Sequence, residues 1–481
     1  MMVAPLVIPF GRPDWVAVAP LFVVGLAALV VVLADLFLPR LIRRGAAIVV
    51  GVAGLAVAGV LAIGGWSHPF SAFGGGFVVG GFTVVFEEIV LVAAIFSLLM
   101  SYRLGREDQT GGAVALMLWS TCGALLMAGA ASLMTVFLGL ELLSLSLYCL
   151  CGLAPRATAR ESALKYLILS STASGVMLYG MALLFGATGS VAFAALANPV
   201  ASSALLDIGA GLFLIGIAFK LSLVPFHVWA PDVYEGAPLP VTAFMSVVTK
   251  AGTLAVFARF AYAALPSAAG HALLAPIWLL AAISMIVGNV GALAQTDMKR
   301  LLAYSGIAQV GYIVAAMAGT TTYGLRYAIF YLGAYTFMNL GAFAVVALLS
   351  REHEEGSRLQ AFAGLGHRSP VLAAAMTFFL LALAGLPPTA GFTGKVLILA
   401  SAVGAGYTWL AGLLVVGTAI SIYVYMKIVR TMYARTTGAP LVRAATPANA
   451  LPWIGVGVCV LATLVLGFYP LAPSDVLPLV R

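Results

Sequence analysis

The stretch FKLSLVPFHVWAPDVYEGAP at residues 219–238 interrupts an apolar segment that is otherwise long enough to cross a membrane. Proline has no amide hydrogen, so Pro225 leaves the carbonyl of Leu221 without its helical hydrogen bond. The sequence therefore predicts a helix that opens beside a lysine, Lys220.

A second stretch with the same pattern, AGLPPTAGFTGK, occupies residues 384–395. Here Pro387 and Pro388 interrupt another long apolar segment just before Lys395. A single membrane proline is commonly a tolerated kink, but two broken helices in matching positions of two halves are typical of transporters. We therefore expect two structural repeats, each with one broken helix.

The composition predicts that lipid surrounds most of this chain. Of its 481 residues, 63% are hydrophobic and only 8% are charged, whereas soluble domains carry roughly 25% charged residues. A water-facing surface cannot be built from so few charges. The chain is therefore expected to be an integral membrane protein.

Fourteen apolar segments are long enough, at roughly 20 residues each, to cross a bilayer as helices. They are residues 15–38, 46–66, 82–102, 112–130, 132–153, 162–185, 204–229, 239–264, 272–294, 301–318, 325–349, 371–404, 408–434 and 452–470. The predicted fold class is an all-α polytopic membrane protein of about 14 transmembrane helices, with two inverted five-helix repeats and discontinuous helices seven and twelve. The predicted divisions are 1–110 (helices one to three), 111–270 (first repeat, helices four to eight), 271–435 (second repeat, helices nine to thirteen) and 436–481 (helix fourteen).

Basic residues mark one face of the membrane. Fifteen of the 24 lysines and arginines fall in one alternating set of loops: Arg40, Arg43, Arg44, Arg103, Arg106, Arg156, Arg160, Lys299, Arg300, Arg351, Arg358, Arg368, Arg430, Arg435 and Arg443. The opposite loops and helix ends hold Arg12, Arg259, Arg326 and Arg481. This alternation predicts basic loops in the cytoplasm and both termini in the periplasm of a bacterial inner membrane. It argues against nucleic-acid binding, because a nucleic-acid patch would cluster on one element.

No motif for a metal or a nucleotide cofactor stands out. The four cysteines, Cys122, Cys149, Cys151 and Cys459, lie in apolar segments without a C-x-x-C pair, so buried free thiols are expected. No G-x-G-x-x-G follows a predicted strand, so no NADH site is expected in this chain. The first residues also lack the pattern of a removable signal peptide.

Four charged residues are predicted to lie deep in the membrane, where each charge costs at least about 2.5–3.5 kcal/mol. Glu141 is about 14 Å into the fifth helix and Lys250 about 15 Å past Pro240, at 1.5 Å per residue. Lys220 and Lys395 adjoin the two helix breaks. A fixed structural ion pair is the alternative to a functional role.

Lysines and a glutamate in this setting suit proton transfer. A lysine in a poorly solvated interior binds its proton less tightly than in water, and a nearby carboxylate reverses that effect. Glu141 and Lys220 can form such a pair if helices five and seven pack together. Lys250 and Lys395 would continue the row through the middle of the protein.

Other polar residues are weaker candidates. Lys165 and Lys427 lie near helix ends, where their side chains can reach the interface, and His227 lies about two turns beyond Lys220. Four acids near helix ends are expected to meet headgroups or water: Asp35, Glu87, Glu88 and Asp207. Helices ten and eleven supply a polar set that could carry waters or simply pack helices together: Tyr304, Ser305, Gln309, Tyr312, Tyr331, Tyr335, Thr336 and Asn339.

Four segments resemble the antiporter-like membrane subunits of respiratory complex I, the NADH–quinone oxidoreductase. They are FLGLELLSLSLYCL (137–150), the continuous run 219–252, QTDMKRLLAYSGIAQVGY (295–312) and GLPPTAGFTGK (385–395). Within that family, FHVWAPDVYEGAP is similar to subunit N rather than to subunits L and M.

The resemblance implies a proton-translocating subunit whose partners in the membrane arm and beyond hold the NADH, flavin, iron–sulfur and quinone sites. It matches Glu141, Lys220, Lys250 and Lys395 to the family's relay residues and Lys165 to a helix-six lysine. Gln309 departs from the family, where a histidine is frequent. A subunit of a multi-subunit sodium/proton antiporter and a freestanding secondary transporter remain as alternatives.

Overall fold

The structure is a computed structural model that describes residues 11–101, 110–196, 203–265, 268–349, 357–435 and 450–470. Five basic residues used above to assign the cytoplasmic face lie outside these ranges: Arg103, Arg106, Arg351, Arg443 and Arg481. The remaining basic residues of that set belong to the described part.

The described chain is almost entirely helical. Its helices, in chain order, are α1 Arg12–Phe37, α2 Arg40–Ile63, α3 Gly81–Met100, α4 Thr110–Ala128, α5 Leu133–Cys151, α6 Ala157–Thr188, α7 Phe193–Leu196, α8 Ser203–Leu221, α9 Trp229–Gly236, α10 Leu239–Arg259, α11 Ala268–Leu293, α12 Met298–Ala316, α13 Thr322–Leu349, α14 Leu365–Arg368, α15 Pro370–Ala384, α16 Ala390–Gly404, α17 Thr408–Tyr433 and α18 Ala450–Phe468. One antiparallel hairpin joins α2 to α3, with strands β1 Phe70–Ala72 and β2 Phe77–Val79. The hydropathy pattern did not predict this hairpin.

Each of the fourteen predicted apolar segments contains a helix of the structure. Within the described ranges, eleven helices are long and apolar enough to span a membrane. Three apolar helices are shorter, namely Pro370–Ala384, Ala390–Gly404 and Pro452–Phe468. The first two are short because they are the halves of the predicted twelfth helix. The prediction of a polytopic all-α membrane protein is confirmed.

Both predicted helix breaks are present. The seventh helix ends as α8 at Leu221, and α9 begins only at Trp229, after a non-helical turn that contains Pro225. The twelfth helix ends as α15 at Ala384, and Gly385 caps it in the left-handed conformation, with φ of 86°. Glycine adopts this conformation without steric cost. Discontinuous helices seven and twelve are therefore confirmed.

Helix α10 occupies the centre of the bundle. All of its membrane-crossing window is buried within the protein, and it packs against helices that include α3, α4, α8 and α13. By contrast, α1, α2, α6 and α17 expose many apolar side chains. Because α10 carries Lys250, this arrangement buries that lysine on every side.

Small residues let neighbouring helices approach closely. A Cβ atom added to Gly180 of α6 would lie 2.6 Å from the backbone nitrogen of Phe213 of α8. A Cβ on Gly123 of α4 would lie 2.4 Å from the nitrogen of Leu143 of α5. Close backbone packing at glycines is usual between membrane helices. It brings the lysine-bearing α8 against α6.

Two expectations for individual side chains are wrong, those for Glu87 and Cys149. Glu87 does not meet headgroups or water, because the packing around α3 leaves it only 4% exposed. Arg259 lies at the end of α10, as the sequence predicts, and it is buried there and donates to Thr83 Oγ1 at 3.0 Å. Cys149 is exposed, whereas the other three cysteines are buried as expected. Depth along a helix did not predict which neighbouring helices cover a residue.

Candidate functional site

Lys220 lies in the last turn of α8, next to the first helix break, and is 2% exposed. Its ammonium donates to three hydroxyl oxygens, at 2.7 Å to Ser144, 3.1 Å to Tyr166 and 3.2 Å to Ser170. These acceptors come from α5 and α6. Hydroxyls both accept and donate, so this cluster can pass a proton onward as well as bind it.

Glu141 lies on α5 and does not form a direct ion pair with Lys220. Among the described side chains, no ion pair includes Glu141, and its Oε1 atom is buried without a hydrogen bond. Ser144, about one turn further along α5, contacts the ammonium instead. The predicted coupling of this carboxylate to Lys220 therefore stays a prediction.

A small cavity of about 10 Å³ adjoins Lys220. Its lining combines apolar and hydroxyl-bearing side chains from α5, α6 and α8: Leu140, Ser170, Ala173, Ser174, Met177, Gly216, Phe219 and Lys220. A volume of this size holds about one water molecule. Leu140 lines this cavity and directly precedes Glu141. A water molecule in the cavity can therefore lie between α5, which carries Glu141, and the Lys220 ammonium.

Lys250 lies in the middle of α10 and is 2% exposed. Its ammonium has one hydroxyl partner, Tyr335 of α13, at 3.3 Å, and lies 5.2 Å from the centre of that ring. A Cβ added to Gly306 of α12 would lie 2.4 Å from the ammonium nitrogen of Lys250. The lack of a side chain at position 306 therefore makes room for the lysine. Asn339, one turn along α13 from Tyr335, donates to Ser246 at 2.6 Å.

Lys395 lies in the second turn of α16, just after the second break, and is 5% exposed. Its ammonium donates to the backbone carbonyls of Leu383 and Ala384, at 3.1 and 2.8 Å. These carbonyls belong to the end of α15, where the helix leaves its last carbonyls without helical partners. The ammonium also lies 4.8 Å from the centre of the Tyr312 ring.

Polar side chains of the neighbouring helices bond to the groups that surround Lys395. Gln309 donates to the same Leu383 carbonyl at 3.1 Å and accepts from the Tyr331 hydroxyl at 2.5 Å. Asn289 donates to the Tyr312 hydroxyl at 2.8 Å. The glutamine at position 309 therefore bonds both the backbone beside Lys395 and a tyrosine, but it cannot itself take up a proton near neutral pH.

Lys165 lies apart from the buried lysines, at a polar cavity of about 380 Å³ between α6, α9 and α12. It pairs with Glu161 at 2.7 Å and with Asp232 at 3.1 Å, and its side chain is 43% exposed. Asp232 also pairs with Arg300 at 2.7 Å. Partial burial disfavours the charged carboxylate, but hydrogen bonds from Lys165 and Arg300 outweigh it and hold the pKa of Asp232 below its usual range.

His227 lies in the non-helical turn after Lys220 and is half-buried. Its Nδ1 atom is buried without a hydrogen-bond partner, and its ring lies 6.4 Å from that of Tyr304 in an edge-on arrangement. It does not contact the Lys220 ammonium, whose three partners are hydroxyls. A group of His, Cys, Asp or Glu suited to a metal ion does not occur in the described ranges.

Sequence reasoning missed the hydroxyls that surround Lys220. Ser144 lies three residues after Glu141, and Ser170 lies one turn after Tyr166, so both pairs share a helix face. A polar stripe at helical spacing on an otherwise apolar helix was the available signal. This signal is weak on its own, because small and polar residues are common where membrane helices pack together.

The fold and the three buried lysines define an antiporter-like membrane subunit. The family model described as NADH:quinone oxidoreductase/Mrp antiporter, transmembrane region, matches residues 130–421. NADH-quinone oxidoreductase subunit N 1 of Symbiobacterium thermophilum is 40% identical over 95% of this chain and 96% of that protein. The chain belongs to the NADH-quinone oxidoreductase subunit N family.

Solved structures agree with this assignment. A chain of respiratory complex I from Thermus thermophilus is 34% identical, with a TM-score of 0.80 over 96% of this chain and 99% of that one. A chain of the Mrp complex from Dietzia sp. DQ12-45-1b has a TM-score of 0.79 over 95% and 94% of the two chains, at 20% identity. The second likeness shows the shared fold alone.

Proposed function

We propose that this chain moves protons across the membrane through a row formed by Glu141, Lys220, Lys250 and Lys395. The observation that carries the proposal is that all three lysines are at most 5% exposed and bond only neutral oxygens. A buried ammonium without a carboxylate partner is costly. Such a lysine is poised to release its proton and to take it back.

The three lysines are given different tasks in this proposal. Lys220, within its hydroxyl cluster, exchanges protons with Ser144, Tyr166 and a water in the adjoining cavity. Lys250 is the intermediate stop on the central helix, and Lys395 passes protons to the opposite face. Glu141 tunes Lys220 through Ser144 or a bridging water. Lys165 and His227 are auxiliary groups on the cytoplasmic side of Lys220.

The orientation belongs to the same proposal. We place both termini in the periplasm of a bacterial inner membrane and the cavity beside Lys165 in the cytoplasm. Helices four to eight and nine to thirteen would form the two repeats, spanning 111–270 and 271–435, with one broken helix and its lysine in each. The positive-inside distribution of the basic loops supports this orientation.

The redox chemistry would take place in partner subunits. The relatives are named as subunits of NADH-quinone oxidoreductase, so we propose that NADH, flavin, iron–sulfur clusters and quinone bind elsewhere in a complex that this chain joins. Quinone reduction there would drive the proton steps here. This chain would then supply ion translocation without electron transfer of its own.

Lys250→Ala tests the proposal, with Lys427→Ala as the matched control. Both remove a membrane lysine, but Lys427 is exposed and bonds only the Leu293 carbonyl, at 3.3 Å. We expect Lys250→Ala to lower the proton-to-electron ratio of NADH oxidation in sealed vesicles, and the control to keep the parent ratio. An unchanged ratio in an assembled Lys250→Ala complex would contradict the relay. Purification of the chain without an NADH-oxidising flavoprotein would instead favour a sodium/proton antiporter or a freestanding transporter.

A further inference from the structure

Trp229 contacts Tyr166, which accepts a hydrogen bond from Lys220, and Phe219, which directly precedes Lys220. It is 1% exposed, and its indole stacks on the Tyr166 ring with 4.8 Å between ring centres and 10° between planes. Its Nε1 atom donates to the carbonyl of Phe219, the residue before Lys220, at 2.9 Å. One side chain therefore touches the ring of the acceptor and the backbone of the residue that precedes the donor.

The short helix that carries Trp229 is itself anchored to α6. Asp232 of α9 pairs with Lys165, which directly precedes Tyr166. Ser162 of α6 donates to the Asp232 carbonyl at 3.0 Å. The stack of Trp229 on Tyr166 is thus one of several contacts that hold α9 against the same part of α6.

Geometry at this position matters because proton transfer requires hydrogen-bond distance. Donor and acceptor must lie about 2.6–3.2 Å apart, and a misplacement of roughly 1 Å can cost about a hundredfold in rate. Lys220 is in the last turn before a break, where the chain beyond Leu221 no longer continues the helix. The lysine therefore depends on contacts from other elements to stay aligned with Tyr166 at 3.1 Å.

We propose that Trp229 is a positioning residue that keeps the Lys220 ammonium on the Tyr166 hydroxyl across the helix break. The inference rests on the proposed proton transfer through Lys220. Trp229 holds the acceptor, Tyr166, in place by stacking on its ring. It holds the end of α8 in place through its hydrogen bond to Phe219. If Trp229 only filled space in the core, pumping would depend on the volume of its ring. It would not depend on the Nε1 hydrogen bond or on the Tyr166 hydroxyl.

Two variants separate these contributions. Trp229→Phe keeps an aromatic ring for the stack but loses the donor to Phe219, and Trp229→Leu loses both. We expect the pumping rate to fall about threefold in the first variant, the usual scale of one hydrogen bond, and about tenfold or more in the second. The proton-to-electron ratio should fall with it. NADH oxidation and the flavin content of the purified complex serve as readouts of assembly.

Trp278→Phe and Trp278→Leu are the matched controls. Trp278 on α11 is 3% exposed and packs edge-on against Phe257 at 6.2 Å, without a contact to Lys220 or its partners. These variants remove the same buried volume from the same bundle. They should keep the parent proton-to-electron ratio even if they lower thermal stability.

Coupling to Tyr166 is the decisive measurement. If Trp229 acts by placing the Tyr166 hydroxyl, then Trp229→Leu should cost clearly less in a Tyr166→Phe background than in the parent, because the hydroxyl is already absent. Purely additive losses would overturn the proposal. So would an assembled Trp229→Leu complex with the parent ratio, or a failure of both Trp229 variants to assemble, since Trp229 would then serve folding alone.

Lys220→Ala, measured in the same series, separates this inference from the proposed function. If Lys220→Ala pumps normally, the relay itself is wrong. If Lys220→Ala fails while both Trp229 variants pump normally, only the positioning role is wrong.

Discussion

The two helix breaks hold their lysines in different ways. Lys220 precedes its break and donates to hydroxyls of two other helices, whereas Lys395 follows its break and donates to two carbonyls at the end of the preceding helix. A hydroxyl can accept one proton while it donates another, but a carbonyl can only accept. The first break thus offers onward routes for a proton, and the second holds an ammonium against a helix C-terminus, which favours positive charge.

The largest effect is expected at the hydroxyl-lined break. Lys220→Ala removes the protonatable group from a dry interior, and we expect pumping to fall at least about tenfold, since each 1.4 kcal/mol on the barrier is a factor of ten. Lys220→Arg should fail as well, because guanidinium does not lose its proton in proteins. The proton-to-electron ratio in sealed vesicles is the measurement, with flavin content as the assembly control. Full coupled activity in Lys220→Arg would remove lysine deprotonation from the mechanism.

Glutamate substitutions test the contrast between hydroxyls and carbonyls directly. Lys395→Ala should stop the step at α16, because alanine offers no protonatable group. Lys395→Glu keeps a protonatable group and should retain partial pumping. Its side chain should stay protonated, because a charged carboxylate would face two carbonyls that cannot donate a hydrogen bond to it. Lys220→Glu faces hydroxyls that can donate, so it should retain more pumping than Lys395→Glu. Equal ratios for the two glutamate variants would show that the difference between the breaks has no functional consequence, and parent pumping in Lys395→Ala would make this lysine structural.

Much of this contrast lay beyond the sequence. Proline chemistry predicted both breaks and the lysines beside them, Lys220 and Lys395, and counting residues along the helix predicted the depth of Lys250, because both depend on local chain geometry. Which side chain reaches each ammonium depends on how helices rotate and pack, and apolar helices carry little periodicity to fix that rotation. For this reason the sequence did not predict that Ser144 is the side chain of α5 that contacts the Lys220 ammonium, and the expected exposure of Glu87 is wrong.

Glu141 should therefore have a smaller effect than Lys220. Glu141→Gln removes the charge while keeping the shape, and we expect a several-fold loss of pumping, transmitted through Ser144 or a water. Adding Lys220→Ala to Glu141→Gln should give little more loss than Lys220→Ala alone, because coupled residues are not additive. Initial rates of vesicle acidification for the two single variants and the double variant are the measurement. Losses that multiply independently would place Glu141 outside the Lys220 pathway.

The smallest effect is expected at the α9 end of the first break, where the two breaks also differ. The chain resumes there as α9, tied to its neighbours by the Asp232 ion pairs with Lys165 and Arg300. Within the described ranges, no ion pair reaches α16, the 15-residue helix in which the chain resumes after the second break.

Asp232→Asn should lower the stability of the assembled subunit by about 0.5–2 kcal/mol, because partly exposed pairs contribute about 0.2–1 kcal/mol each. The pKa of Asp232 is depressed in the folded chain, so its contribution is complete above the unfolded value of about 4 and is lost as the pH falls through the folded value. The difference in melting temperature between parent and variant should stay constant from about pH 8 to 5 and shrink only below about pH 4. Asp207→Asn, which changes an exposed carboxylate near the other end of α8, is the control and should leave melting unchanged at every pH. A parent-like melting profile for Asp232→Asn would mean that the other contacts of α9, which include the Trp229 stack and the bond from Ser162 to the Asp232 carbonyl, hold this helix without the Asp232 ion pairs.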